Sequence, residues 1–564
     1  MKQNVVSIGV SLAVGLALYM SSSTARANVY ATNIKINGNQ TNAVSIGQGS
    51  SATISYILNE NATAGVAIKI LSGATAVRTI SIASGSGTTK GANSVVWDGK
   101  DGTGTAVPLG NYSVSVTAAA TGYSDWTQIS DDAAPTSYCL RPRGLAVNNN
   151  TNSPYYGRIF IGNCRNGPGV GTNAWGDVPG IYKVNADGSP SEDGAGSFGT
   201  AGYNFTDTTH YDGADNPISM KIKEDDRLYW MDWVQIAEVV AADMLLTTNQ
   251  LVMPEGYYVS NPYGVPSGWK NYEVTDVLTD HPRVYLCDAN YPSGGAWYWP
   301  MTNGAVDIND PMGTLGYQAL QTGGDLSLRC DGIVIDANTN VYAIQNRANE
   351  GDPNMRACCF TNWDGVTSLF SGAAWVVGGA DDTFRYAWDL ALDSLKNPHY
   401  LAVSMYALVT NSLSDNVGWA GIRILNAADG SSVVTNLSIL SSYHSVAWDN
   451  VGNLYGGSQS AARWRVFSPP GANQATTLAL ATVEVTAAAV TPEISSISLS
   501  GGNAIIRFTG GPAESPSAFT LETATDVAGA YVPATGASIT QVSAGVFEAT
   551  VPTSGPTAFY RIKK

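Results

Sequence analysis

Groups able to do chemistry are sparse in this chain. It has four histidines, His210, His281, His399 and His444, and none stands in the H-E-x-x-H or H-x-H spacing that puts two imidazoles on one zinc ion. No G-x-S-x-G sequence is present to raise a nucleophilic serine on a strand-to-helix turn. The six cysteines contain no C-x-x-C or C-x-x-C-H, which removes redox-pair and haem-attachment readings. What remains is acid–base work by an imidazole beside a carboxylate. His444 with Asp331 or Asp389 is the candidate set, against the alternative that a lone histidine is a hydrogen-bonded structural residue.

These residues are far apart in sequence, so the fold must gather them. A hairpin repeat offers the means. Arg143-Gly144-Leu145-Ala146-Val147 leads to Arg158-Ile159-Phe160-Ile161-Gly162-Asn163, and Asp331-Gly332-Ile333-Val334-Ile335 leads to Asn340-Val341-Tyr342-Ala343-Ile344. The same strand, polar turn and strand recur from Asp389 and from Ser445, with weaker copies from Ser219 and Val274. Starts near 219, 274, 332, 389 and 445 are spaced by 55, 58, 57 and 56 residues, while 144 to 219 is longer at 75. Short strands recurring with a period of about 40–60 residues are the mark of a β-propeller. Six hairpins suggest six blades, with seven still open.

In such a ring the residue before each first strand and the residues after its partner return to one rim of the channel. Strand starts bring Arg143, Asp331, Asp389 and His444 there, and strand ends bring Asn163, Arg165, Asp232, Asp288, Asn346 and Arg347. Arg143, Asn163, Arg165, Asp232, Asp288, Asn346 and Arg347 form a mixed set suited to holding a ligand. The competing reading is that these charges pair with one another around a solvated channel. Cys139 and Cys164 flank the first hairpin, and Cys287 and Cys330 occupy the equivalent end and start of neighbouring blades. Those are the favoured disulfides among fifteen connectivities. Cys358-Cys359 is either a strained vicinal bridge or two residues with partners elsewhere. Aromatics crowd the second and third blades, including Tyr229-Trp230, Trp233, Tyr257-Tyr258, Tyr263, Trp269, Tyr272, Tyr291 and Trp297-Tyr298-Trp299. They suit either stacking on sugar rings or packing between blades. The apolar spacing of Val234 to Leu246 fits a short inserted helix.

Composition agrees with a modular extracellular protein. The chain has 564 residues, only 13% of them charged, with 60 Gly and 25 Pro. Lys2, the apolar run Val5 to Met20 and Ala25-Arg26-Ala27 have the form of a cleaved export signal over residues 1–27. Lys and Arg number 29 against 45 Asp and Glu, a net charge of −16, or 27 − 45 = −18 once Lys2 and Arg26 are removed. That balance disfavours nucleic acid and anionic lipid as partners. No later apolar run is long enough to insert in a membrane, and the cysteines fall in a disulfide-permissive setting.

From Asn28 to about Ala120 apolar and polar residues alternate, as in Ala52-Thr53-Ile54-Ser55-Tyr56-Ile57, which reads as a β-sandwich. Its last segment runs Trp97-Asp98-Gly99-Lys100-Asp101-Gly102-Thr103-Gly104, then Val107-Pro108-Leu109-Gly110-Asn111-Tyr112. This resembles the closing hairpin of the flagellar hook-cap (FlgD-type) immunoglobulin-like domain, a module that serves as a spacer in secreted proteins. Asp98 to Gly104 and Asp187 to Gly194 lack the spacing of a calcium loop and read as hairpin turns. The hairpin form ending Asp449-Asn450-Val451-Gly452-Asn453-Leu454-Tyr455 resembles NHL-repeat and gluconolactonase-like propellers. That resemblance implies a channel cation of the Ca²⁺ type, for which Asp331 and Asp389, with Asn163 and Asn346, are the available ligands; the usual channel glutamate has no evident counterpart. After Thr491-Pro492-Glu493, a segment ending Phe559-Tyr560-Arg561-Ile562 resembles the small C-terminal β-modules of secreted bacterial proteins.

The expected architecture is therefore all-β: an Ig-like β-sandwich at 28–125, a propeller at 136–487 and a C-terminal β-sandwich at 492–564. The expected function is a secreted or outer-surface binding protein whose propeller recognises a polysaccharide or a surface protein, with enzyme versus binder left open by the sequence. The alternative is a hydrolase or lyase at the channel mouth, acting on a lactone, ester or uronate polymer, assisted by a cation, with His444 and Asp331 or Asp389 as acid and base. The sequence leaves ligand identity and oligomeric state open.

Overall fold

A computed structural model describes residues 28–164, 175–191, 202–204, 217–231, 238–241, 250–252, 269–288, 295–307, 310, 316–321, 323–326, 329–345, 355–379, 387–393, 399–405, 420–438, 441–488, 490–512, 514–553, 555 and 557–564. The all-β class expected from composition and alternation is what the structure has: apart from short 3-10 turns, the regular elements among the described residues are strands. The chain divides into two compact units, one of residues 1–30, 119–149 and 157–475, the other of 31–118, 150–156 and 476–564.

The larger unit contains six antiparallel sheets of the same plan. Their first strands are Pro142–Val147, Ser219–Ile222, Trp269–Thr275, Gly332–Ile335, Ala387–Leu392 and Tyr443–Trp448. Each first strand lies against the first strand of the next sheet, and the sixth lies against the first, so the six close into a ring. Within a sheet the chain simply meanders outward, as in Gly332–Ile335, Val341–Gln345, Met355–Phe360 and Trp375–Gly379. The sixth sheet differs: its outermost strand is Thr127–Gln128, which pairs with Phe467 and Ser468, so a segment from before the first sheet completes the last.

Burial explains the sequence of these strands. Every residue of Ile159–Asn163, Gly180–Val184, Val341–Gln345 and Leu454–Ser458 is buried, because both faces of these sheets are covered by neighbours. The cores therefore lie between sheets. Tyr229 and Met231 of the second pack on Tyr272 and Val274 of the third. Tyr285 and Tyr298 of the third pack on Ile333 and Phe360 of the fourth, and Val147 and Tyr182 of the first meet Tyr455 and Trp464 of the sixth. Close approach of the first strands needs small residues: a Cβ on Gly332 would lie 2.5 Å from the Leu390 side chain of the next sheet.

The repeat's Asp-x-x-x-Asn turn is a structural device. Asp336 Oδ1 accepts the amides of Asn338 and Asn340, and Oδ2 accepts Asn340 Nδ2, each at 2.8 Å. Asp449 repeats the pattern with the amides of Val451 (3.1 Å) and Asn453 (2.8 Å) and with Asn453 Nδ2 (2.7 Å), and adds Tyr455 Oη at 3.1 Å. A short carboxylate held against its own backbone closes the turn between first and second strands.

The smaller unit holds two modules. In the first, a three-stranded sheet (Ala31–Ile36, Ala52–Leu58, Gly91–Trp97) accompanies a five-stranded sheet ordered Val44–Gly47, Gly471–Thr486, Gly110–Tyr123, Gly65–Ser72, Thr75–Ile82. The expected boundary at 487 assigned Gly471–Thr486 to the ring. That strand instead returns to the sandwich, antiparallel order being broken where it pairs in parallel with Val44–Gly47. The C-terminal module has a four-stranded and a three-stranded sheet around Ile506, Phe508, Phe519 and Phe547. The helix expected over Val234 to Leu246 is not formed where the segment is described: Glu238–Ala241 is the third strand of the second sheet.

Candidate functional site

The ring's first strands carry an unusual load of polar side chains. Successive residues of a strand alternate in direction, so Lys221 and Lys223 share one side of the second sheet's first strand, and Asn271 and Glu273 share one side of the third's. These two pairs meet the carboxylates of the ring. Asp389 Oδ1 accepts Asn271 Nδ2 at 2.5 Å and the Leu390 amide at 2.9 Å, and Oδ2 accepts the Val446 amide at 3.1 Å. Lys221 Nζ stands 3.8 Å from the same carboxylate, and Ser404 Oγ accepts the Asp389 amide at 2.9 Å. One buried side chain of the fifth sheet thus ties the second, third and sixth sheets together across the ring. Beside it, Lys223 forms an ion pair with Glu273, whose Oε1 also accepts the Val274 amide at 2.9 Å. Asp331 is held separately: Arg329 places Nε at 3.0 Å and Nη2 at 2.8 Å from its Oδ1.

His444, Trp388 and Arg143 form a second cluster, from the starts of the sixth, fifth and first sheets. The His444 ring lies edge-on to Trp388 with centroids 4.8 Å apart, and Arg143 Cζ sits 5.7 Å from the Trp388 ring centroid. A guanidinium over an indole face is a favourable electrostatic contact. His444 is fully buried and Trp388 nearly so, while Arg143 is half-buried. The histidine is therefore packed into the wall, where a general base would need reach to a bound substrate.

Other residues singled out by sequence fall in several places. Asn163 is fully buried and braces the rim: its Oδ1 accepts the Arg141 amide at 3.0 Å and its Nδ2 donates to Gly176 O (2.8 Å) and Val178 O (3.0 Å). Those three contacts are all with backbone groups of the rim. Arg165, Asp232, Asn346 and Arg347 lie outside the described residues. Asp288 ends a strand, opposite Trp269 and Gly295, with its side chain outside the description. Among the described residues, no three His, Cys, Asp or Glu gather as a metal site, and the cation candidates Asp331 and Asp389 are each engaged by cationic neighbours.

The six cysteines are all buried and all stand as free thiols, so neither of the favoured pairs, Cys139–Cys164 and Cys287–Cys330, is bonded in the structure. Cys287 and Cys330 bring their sulfurs to 3.3 Å. Burial raises the Cys139 thiol well above its ordinary range, and the charge of neighbouring Cys164 raises it further. Cys358 and Cys359 point to opposite faces of their strand, Cys358 into the core between third and fourth sheets and Cys359 into the core between fourth and fifth. Strand alternation therefore keeps the vicinal pair apart. Of the aromatics, Tyr229, Tyr272, Tyr298 and Trp299 are buried as inter-sheet packing, with the partly buried Trp297 against them, Trp230 is buried, the side chain of Trp269 is outside the description, and Trp233, Tyr257, Tyr258, Tyr263 and Tyr291 lie outside the described residues.

Sequence reasoning missed Lys221, Lys223, Asn271, Glu273, Arg329 and Trp388. A signal for four of them was present: polar residues two apart on strands otherwise built to be buried must have partners, because a buried unpaired charge is costly.

In the smaller unit the Trp97–Tyr112 hairpin is fixed by its own side chains. Trp97 is fully buried, donates from Nε1 to Lys100 O at 2.8 Å, and packs against Tyr112 at 6.0 Å. Asp101 Oδ1 accepts the Thr103 amide and hydroxyl at 2.8 and 2.7 Å and the Thr105 amide at 3.0 Å. The Thr103 hydroxyl is the largest cause holding its carboxyl below the usual range. Gly99 has φ +71°, and a Cβ there would lie 2.3 Å from Ser50 O. Residues 39–122 match the family model of the FlgD Ig-like domain. The match covers the sandwich strands Val44–Gly47 to Gly110–Tyr123, but not Ala31–Ile36 or the returning Gly471–Thr486, which complete its two sheets. Among curated proteins none matches the chain. No helix among the described residues is long and apolar enough to cross a membrane.

Proposed function

We propose that the protein is an exported, non-catalytic binding protein: the FlgD-type Ig-like module is a spacer, the six-sheet ring is a six-bladed β-propeller of NHL-like repeats that recognises a polysaccharide, and the C-terminal β-module attaches it at the outer cell surface. One observation carries the preference for binding over catalysis. Both candidate acid–base carboxylates are consumed internally, Asp331 by Arg329 and Asp389 by Asn271, Lys221 and two backbone amides. A carboxylate whose lone pairs are spent on fixed donors braces a scaffold; it is poorly placed to exchange a proton with a substrate.

The test is sedimentation of residues 28–564 with insoluble polysaccharides, run with Ca²⁺ and with EDTA, following both protein depletion and soluble sugar. Depletion without released product is the expected result. Release of soluble product overturns the reading in favour of a hydrolase or lyase, and depletion only by cell-surface protein preparations transfers the ligand class to protein. Loss of depletion in EDTA would assign a role to a cation.

A further inference from the structure

Two sulfurs inside the ring point to a covalent feature that topology alone does not supply. Cys287 lies on Arg283–Asp288, the second strand of the third sheet, and Cys330 lies two residues before Gly332–Ile335, the first strand of the fourth. Their Sγ atoms are 3.3 Å apart and both residues are fully buried. That is closer than the ~3.5–4.0 Å at which even carbon atoms, smaller than sulfur, rest in contact. Cys358 belongs to the same apolar core, so Cys330 has two cysteines nearby, of which Cys287 is in direct contact.

We propose that Cys287 and Cys330 form a disulfide that staples the third sheet of the ring to the fourth. Closing the bond brings the sulfurs from 3.3 Å to ~2.05 Å, a movement within the reach of side-chain rotation. The oxidant is a protein or small-molecule disulfide. One cysteine thiolate attacks its S–S bond, forming a mixed disulfide and releasing one carrier thiolate. The second cysteine thiolate then attacks the cysteine-bound sulfur, forming the Cys287–Cys330 bond and releasing the other carrier thiolate. Two protons and two electrons leave the pair, and the carrier's disulfide ends as two thiols. Because neither sulfur reaches solvent in the closed ring, the exchange takes place before the third and fourth sheets pack, and the finished bond is shielded from reductants.

The proposal is independent of the export reading, since the test supplies the oxidant. Residues 28–564 are unfolded, reduced, and refolded either in mixed oxidised and reduced glutathione or in excess dithiothreitol. Both samples are then unfolded in an alkylating agent and digested for mass spectrometry. The expected result is a linked Cys287–Cys330 peptide, two hydrogens lighter than the separate peptides, in the first sample only. The oxidised wild type is expected to unfold about 5–10 °C above the oxidised C287S/C330S variant. Full alkylation of both cysteines in the oxidised sample overturns the proposal, as does a Cys330–Cys358 link. If refolding fails, the chain exported into an oxidising compartment and alkylated on lysis gives the same readout with the same two refuting outcomes.

Discussion

Replacing Asp389 with alanine tests the idea that this residue locks the ring. The change removes the acceptor for two buried donors from other sheets, Asn271 Nδ2 at 2.5 Å and the Val446 amide at 3.1 Å, and leaves Lys221, now 3.8 Å from a lost charge, without its counter-ion. Each stranded buried donor costs about 1–3 kcal/mol, and breaking a buried ion pair from one side costs about 3–5 kcal/mol in total. For a large unit, where 1 kcal/mol shifts the midpoint by about 2–3 °C, the ring's thermal transition should fall by about 6–15 °C. Asp389→Asn keeps one acceptor oxygen and loses the charge, so it should fall by roughly half as much. Adding Lys221→Met should cost Asp389→Asn less than it costs the wild type, because the pair is already broken. The assay is thermal unfolding of residues 28–564 at neutral pH, followed by tryptophan fluorescence. An Asp389→Ala midpoint within about 2 °C of wild type, or a drop no larger than that of Asp389→Asn, would refute the lock.

Further outcomes follow from single contacts. Asp331→Ala leaves the nearly buried Arg329 without its carboxylate and should destabilise the ring by about 3 kcal/mol, whereas Asp331→Ala with Arg329→Met should recover much of the loss in chemical denaturation. Burial pushes the Asp449 carboxyl up to about 7. Its folded value lies above its unfolded value of about 3.9, so the folded state holds the extra proton and this group's contribution to stability is complete below pH ~4 and lost as pH rises through about 7. The loss is roughly 4 kcal/mol, and Asp449→Asn should flatten that part of the stability–pH profile measured by urea unfolding. Gly99→Ala must force a methyl against Ser50 O at a positive φ, and should destabilise the Ig-like module by about 1–3 kcal/mol, read as an earlier proteolytic cut within residues 31–118. A fragment ending at residue 125 lacks Gly471–Thr486 and exposes Gly110–Tyr123 as a sheet edge; it should aggregate or exchange its amides faster than the same residues in the full chain, by hydrogen exchange.

Punctuation residues made the ring's hairpins legible. Asp-x-x-x-Asn marks the turn between Gly332–Ile335 and Val341–Gln345, and again, with Gly452, the turn between Tyr443–Trp448 and Leu454–Ser458, because a short carboxylate captures local amides wherever those residues fall. Trp97, Gly99 and Asp101 were legible for the same local reason. What sequence did not disclose depends on distance in the chain. Asn271 and Asp389 are 118 residues apart, and nothing near either residue names the other. His444 was placed on an open rim because its position at a strand start was visible while the Trp388 ring that covers it was not. Gly471–Thr486 alternates in a way that suits either a ring sheet or a sandwich edge, so only pairing decided it. In Val234 to Leu246, helical spacing competed with the β-branched pair Val239-Val240, and the strand Glu238–Ala241 won through pairing on both sides.

The completion of both units by late segments sets the order in which this protein can become itself. Thr127–Gln128 waits for Phe467 and Ser468, and Val44–Gly47 waits for Val483 to Thr486. At about 5–20 residues per second, the ribosome needs roughly 15–90 s to make the intervening stretches. During that interval the earlier strands have open edges. The pieces that complete these sheets are therefore made long after the strands they pair with, just ahead of the C-terminal module. A chain broken off a hundred residues early keeps one unpaired edge in each unit, and so presents itself to proteases as unfinished.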